Sequence, residues 1–255
     1  MILLATDWKL DAALGSCLLL GLRHGFDYDH LAAISDITAV QRSWWNGLRL
    51  GMTYALGHAF MVAALGVCVL ELHFSLPSGI DQITERLIGL TLIVLGIAVV
   101  AGIIRKDAQG HRHSPMESRL AIGINTLLMA GWRVRRLWNP GLAQPRRFRW
   151  IYSGKSVFLI GMLHGIGAET PSQLGLFFLA KSLGGTSRGL LGLAAFALGL
   201  VLMNALMTAS MGGAFRASGP HSRLYHWIAW TGAAYSCIIG AIFLFGISDR
   251  LPQLG

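Results

Sequence analysis

Charge is what this chain has least of. Only 13% of its 255 residues are Asp, Glu, Lys or Arg, about half the share of an ordinary soluble domain, whereas 54% are hydrophobic. With a mean hydropathy of +0.56, a soluble globular domain is excluded and an integral membrane protein is implied. Cysteine is also scarce. Cys17, Cys68 and Cys237 each sit in an apolar stretch with no C-x-x-C spacing, which excludes a disulfide framework and a thiolate metal site. No G-x-x-x-x-G-K-[ST] loop is present to hold ATP, and no H-E-x-x-H to hold a hydrolytic zinc. The start, "MILLATDWKLD", has neither the positive region nor the cleavage site of a secretory signal, so the first helix is expected to stay in the mature protein.

What is there instead is a series of long apolar runs. A helix needs about 20 apolar residues to cross the hydrocarbon core, and six stretches qualify: 11–34, 50–72, 83–104, 154–181, 189–212 and 225–247. The net charge of +9 points not to nucleic acid but to one loop. Eleven of the 21 Lys and Arg fall between Arg105 and Lys155, against two acids, Asp107 and Glu117. Basic loops of membrane proteins face the cytoplasm, so alternation also puts Arg42, Arg49, Arg216 and Arg223 inside and the N-terminus outside. Within the loop, "SRLAIGINTLLMAGWRVRRLW" has an apolar stretch of about 15 residues, too short to span comfortably, and reads as an interfacial amphipathic helix. The expected architecture is all-α. It is a polytopic transmembrane helical bundle, one domain over 1–255, with about six spans, seven if residues 118–132 enter the membrane, and a basic cytoplasmic loop at 105–153.

Several of these spans carry groups that lipid rejects. "LRHGFDYDHLAAISD", residues 22–36, holds two histidines and three aspartates. An ionised Asp at the bilayer centre costs about 2.5–3.5 kcal/mol on insertion scales, so such residues face a protein interior or a path for ions. On an ideal helix at about 100° per residue, His24, Asp27 and His30 share an arc of roughly 120°, while Asp29 turns almost opposite to Asp27. Either the helix breaks near Gly25, or Asp29 meets a different helix. Imidazole nitrogen with carboxylate oxygen suits Ni, Co, Zn or Fe(II) better than Mg or Ca. Further polar residues sit in the second span (His58 in "YALGHAF"), the fourth (His164 and Glu169, with Pro171, in "GMLHGIGAETPSQLGLF") and the fifth (Asn204 in "GLVLMNALM"). Asn204 reads equally as a helix-joining group or as a neutral oxygen ligand.

Together these segments resemble the nickel/cobalt transporter (NiCoT/NicO) family of membrane permeases. "LGLRHGFDYDHLAAI" is similar to the family's R-H-A-x-D-A-D-H-I-A-A-I signature and "LGHAF" to its L-G-H-S. "GAETPSQLGL" aligns on G-F-D-T-A-T-E-I-G-L, and "GLVLMN" falls at G-M-x-L-x-D. The resemblance implies that His24, Asp29 and His30 are essential for metal passage, with Asp27 and His58 lining the same route. It implies eight spans where six or seven can be counted here. Ala59 stands for a serine, Glu169 for an aspartate, Gln173 for a glutamate, Asn204 for an aspartate and Ser35 for an acid, so three carboxylates have become neutral. Fewer charges should weaken or retune ion binding, with His164 as a compensating ligand and His164, Glu169, Gln173 and Asn204 as further path residues.

The function expected is a secondary permease, not an enzyme, taking up Ni2+ or Co2+ as substrate with no tightly bound cofactor. The resemblance disfavours export, since it implies long histidine-rich loops for exporters of the wider superfamily and "HRH" at 111–113 is all the histidine the basic loop offers. An intramembrane metal-dependent hydrolase is the competing class, and a membrane subunit of a larger importer a third. The expected partners are a divalent metal ion and the lipid bilayer, with an oligomer or accessory subunit compatible with the sequence. The expected location is a bacterial cytoplasmic membrane.

Overall fold

The computed structural model of the protein describes residues 8–41, 43–71, 80–109, 119–139, 141–144, 153–167, 185–219 and 222–252. Among them are eight α-helices and no strand. They are α1 (Trp8–Gly25), α2 (Tyr28–Ala39), α3 (Trp44–Glu71), α4 (Ile80–Gln109), α5 (Arg119–Trp138), α6 (Gly154–Ile166), α7 (Thr186–Ser218) and α8 (Arg223–Leu244). Four helical stretches among the described residues are long and apolar enough to cross a membrane: Trp44–Glu71, Gln82–Ile103, Thr186–Ser218 and Arg223–Leu244. These four do not by themselves establish the six or seven spans expected. The predicted fourth span is described only through Gly154–Ile166, a short apolar helix.

The predicted first span is two helices rather than one. α1 ends at Gly25, and Asp27 starts α2 as its N-cap, its backbone extended at φ −74° and ψ 162° and its carboxylate accepting the Tyr28 N–H at 2.9 Å. The first helical bond of α2 runs from the Leu31 N–H to the Asp27 carbonyl at 3.0 Å. A short polar residue in this conformation satisfies an orphan amide and so ends one helix and begins the next.

α2 is the centre of the bundle. Apart from Leu31, every residue from Asp29 to Ala39 is buried. Ala32, Ala33, Ile34 and Ile37 pack in one core with Leu50 and Tyr54 of α3, Leu92 and Leu95 of α4, Val157 of α6, Met207 of α7 and Ile239 of α8. Around this axis α1 lies along α7, α3 between α6 and α7, and α4 along α8. The side chains that face outward are largely apolar: Leu198, Leu202 and Leu206, one turn apart on α7, are each at least half exposed. Such a surface suits hydrocarbon rather than water.

Packing neighbours give the helix directions. Along α7, Cys17 meets Leu193 and Phe196, and Gly25 meets Leu200 and Met203, so α1 and α7 run the same way. α3 runs against α7, with Gly51 against Thr208 and Gly66 against Leu193. α4 and α8 are likewise antiparallel, Gly89 lying against Gly240 and Gly96 against Ala233. The ends of α2, α4 and α7 and the start of α8 gather in one cluster of Ala39, Val40, Val99, Ile103, Phe215 and Tyr225. Arg216 and Arg223 are at that end too, and so is the start of α3, where Gly47 faces Thr38 and Gln41.

Glycines let α6 approach α3 closely. A Cβ on Gly161 would run into the Tyr54 carbonyl and one on Gly57 into the Phe158 carbonyl, which is the small-residue contact that membrane helices use when lipid offers no hydrophobic drive. His164 sits one turn beyond Gly161 and is carried toward α3 by this contact. Gly161→Val forces backbone apart and should cost about 3 kcal/mol. The expected readout is a lower unfolding midpoint of the purified protein in detergent; an unchanged midpoint would mean that α6 and α3 are not packed this way.

Candidate metal centre

The break between α1 and α2 decides where the histidines go. His24 lies at the end of α1, His30 in the first turn of α2, and His58 in the middle of α3, next to the close contact at Gly57. All three are at most 2% exposed. The His24 Nε2 is 3.2 Å from the His58 Nε2, and the His30 Nε2 is 3.2 Å from the His58 Nδ1 and 3.4 Å from its Nε2. One ligand nitrogen from each ring lies within 4.8 Å of the other two. Nitrogens about 2.1 Å from one first-row ion and about 100–110° apart would be separated by roughly 3.2–3.4 Å, which the spacings of His24 and His30 to the His58 Nε2 match, whereas the three nitrogens together lie only within 4.8 Å of one another and would have to close further around an ion. Phe196 of α7 covers the His24 ring at 5.5 Å between centroids.

The aspartates are arranged differently from the expectation of one regular helix. Asp27 does not share a face with His24 and His30; it caps α2. Asp29 lies at the Nδ1 edge of His30, whose Nε2 faces His58, and does not hydrogen-bond to that Nδ1. Its Oδ1 is 3.3 Å from the His30 Nδ1, and its Oδ2 is 3.5 Å from the Nδ1 of His164 in α6. Both alternatives left open by the helical geometry are thus realised: the helix breaks after Gly25, and Asp29 meets another helix.

His164 is 1% exposed and stands outside the group of three imidazoles. Its Nδ1 is 2.9 Å from the Tyr54 hydroxyl and its Nε2 2.9 Å from the Thr91 hydroxyl. Asn204 is fully buried in α7, and neither atom of its amide has a hydrogen-bond partner among the described residues. It lies between the contact of Met203 with Gly25 and that of Thr208 with Gly51, level with the helix break. Glu169 and Gln173 lie outside the described residues. Ser35 points to Gly232 of α8, away from the cluster.

Sequence reasoning did not single out Tyr54 and Thr91, nor Asp36, which is 1% exposed and two turns beyond Asp29 on α2. Tyr54 could have been found, since it precedes His58 by one helical turn. Thr91 is an isolated hydroxyl in an apolar helix and gives no such signal.

A buried imidazole cluster at a helix break, inside an apolar bundle, suits a membrane protein that handles a transition ion, and the comparison with known families agrees. Residues 12–252 match the NicO family model, described as high-affinity nickel-transport protein. The chain belongs to this family. It is an integral membrane protein, and its family is one of transporters, not enzymes, which removes the intramembrane hydrolase from consideration. The chain is 28% identical to the hydrogenase nickel incorporation protein HupN of Bradyrhizobium diazoefficiens, over 92% of this chain and 64% of that protein. It is 24% identical to the high-affinity nickel-transport protein NixA of Helicobacter pylori, over 98% of this chain and 80% of that protein. It is 30% identical to the cobalt transport protein NhlF of Rhodococcus rhodochrous, over 92% and 70%. Against HupN the chain thus spans less than two thirds of its relative's length. No solved structure matches it.

Proposed function

We propose that this protein is a secondary permease that takes up nickel or cobalt, with His24, His30 and His58 as the site where the ion exchanges water for protein ligands. The observation that carries this reading is the convergence of three buried imidazoles from α1, α2 and α3, one nitrogen of each lying within 4.8 Å of the other two. Three neutral nitrogen ligands suit a first-row transition ion and discriminate against Mg2+ and Ca2+. They leave positions for water or a further oxygen donor, and a site in a transport path must bind well enough to admit the ion and weakly enough to release it. Asp29 supplies negative charge from beside His30 without occupying a ligand position. Asn204 is the nearest candidate for a neutral oxygen at the level of the break, and Glu169 and Gln173 are proposed to continue the path. Discontinuous helices beside ion sites are a recurrent feature of secondary transporters.

The topology that fits this function has six crossings, with α1 and α2 forming one broken crossing and α6 belonging to another. The end that gathers Arg49, Arg216 and Arg223 faces the cytoplasm of a bacterial inner membrane, and the N-terminus faces out. α5 lies at the inner interface. There Val134, Leu137 and Trp138 are 59%, 82% and 87% exposed, and Arg133 and Arg135 flank them.

The test is uptake of radiolabelled nickel, cobalt and zinc by cells expressing the chain. Nickel or cobalt should accumulate above the vector control, and accumulation should fall on acidification because a protonated imidazole has no lone pair for a metal. Equal metal content in expressing and control cells would overturn the proposal.

A further inference from the structure

The end of α5 is turned outward on every side. Each residue from Arg133 to Asn139 is exposed, and the helix meets the bundle mainly through α4. On an ideal helix Val134, Leu137 and Trp138 share one face within an arc of about 100°, and Arg133 and Arg135 stand about 100° to either side of Val134, at the two borders of that face. Arg136 lies opposite, its guanidinium 4.9 Å from the centre of the Trp132 ring. Residues 129–139 hold three arginines and no acid. Beyond the helix the chain folds back on it. The Leu142 N–H donates to the Asn139 carbonyl at 3.2 Å, and the Leu142 carbonyl accepts the indole N–H of Trp132 at 3.2 Å. This turn lays Leu142 against the helix and closes a shallow groove of about 430 Å³, lined by Val134, Arg135, Trp138, Asn139 and Leu142.

We propose that this end of α5 is a docking surface for anionic phospholipid. Val134, Leu137 and Trp138 enter among the acyl chains, Arg133 and Arg135 take lipid phosphates on the two flanks of the helix, and the groove beside Trp138 receives part of one chain. The inference rests on the reading of α5 as a helix at the inner interface. Charge decides the occupant. An apolar face alone would suit any bilayer, but a guanidinium at each border of it reaches the level of the headgroups and pairs with phosphate through two parallel N–H bonds. A headgroup with net negative charge keeps that attraction, whereas the ammonium of a zwitterionic one offsets it. Arg135, the charged residue in the lining of the groove, puts a phosphate site next to an apolar slot, which is the arrangement of charge and chain in one phospholipid molecule.

The test is hydrogen exchange of the full-length protein in nanodiscs holding one copy each, made of phosphatidylcholine alone or mixed with phosphatidylglycerol. An arginine near an anionic surface contributes about 5-fold, so the amides of 133–139 should exchange about 25-fold more slowly in the mixed discs. The Arg133→Gln/Arg135→Gln double variant should lose that difference between lipids. Leu137→Gln/Trp138→Gln should lose protection in both, and because these four side chains are exposed neither variant disturbs a packed core. Equal wild-type protection in the two lipids would leave an interfacial helix indifferent to headgroup charge and would overturn the inference. Protection that needs two copies in a disc would assign the face to a contact between copies and overturn it as well. Wild-type amides that exchange in both lipids as fast as those of Leu137→Gln/Trp138→Gln would instead overturn the reading of α5 as interfacial.

Discussion

Replacing His30 by alanine is expected to abolish metal uptake while the protein still reaches the membrane. His30 is fully buried, and its Nε2 lies within 3.4 Å of both ring nitrogens of His58. The substitution therefore removes one of the three converging ligands and detaches Asp29 from the cluster in the same step. Loss of an outer partner alone costs metal sites about 10–100-fold, so loss of a ligand together with its partner should cost at least about 100-fold. Radiolabelled nickel uptake, normalised to the amount of protein in the membrane fraction, is the measurement. Wild-type uptake by His30→Ala would remove the metal centre from this part of the molecule.

Asp29→Asn should lower uptake about 100-fold with normal folding, and the reason is charge. Three neutral imidazoles bring none to a divalent cation in a low-dielectric bundle. One carboxylate about 6 Å away, at an effective dielectric constant near 20, would attract such an ion by about 5 kcal/mol before desolvation is subtracted. The amide keeps the volume of the carboxylate and one acceptor oxygen. A residue that merely joins α2 to α6 should therefore tolerate the change, whereas one that supplies charge to the ion should not. The discriminating result is a variant with wild-type yield and unfolding midpoint but background uptake. Near-normal uptake would assign Asp29 to the scaffold alone.

These two substitutions probe residues that are neighbours in sequence yet face different partners, and the sequence showed only part of that. His24, Asp29, His30 and His58 stood out because lipid rejects such groups, and each of them is buried. Periodicity misplaced Asp27, since helical angles assume continuous winding and Asp27 is the residue that interrupts it. The conflict over Asp29 was itself the signal of the break: one regular helix could not satisfy both its neighbours and the family motif.

By itself the sequence determined that the chain belongs in a membrane, that it is helical, that half of its basic residues fall in one stretch between Arg105 and Lys155, and that a polar motif interrupts its first apolar run. These follow from composition, run length and the cost of charge in hydrocarbon, all properties of contiguous residues. The family resemblance put His58 on the route of His24, and the tertiary structure alone decided that their Nε2 atoms, 34 positions apart in the chain, face each other at 3.2 Å. It alone placed Tyr54 and Thr91 on His164, across 110 and 73 positions. Such partners are chosen by the register in which glycine faces let helices approach, and that register is set by packing between distant segments, which no local pattern encodes.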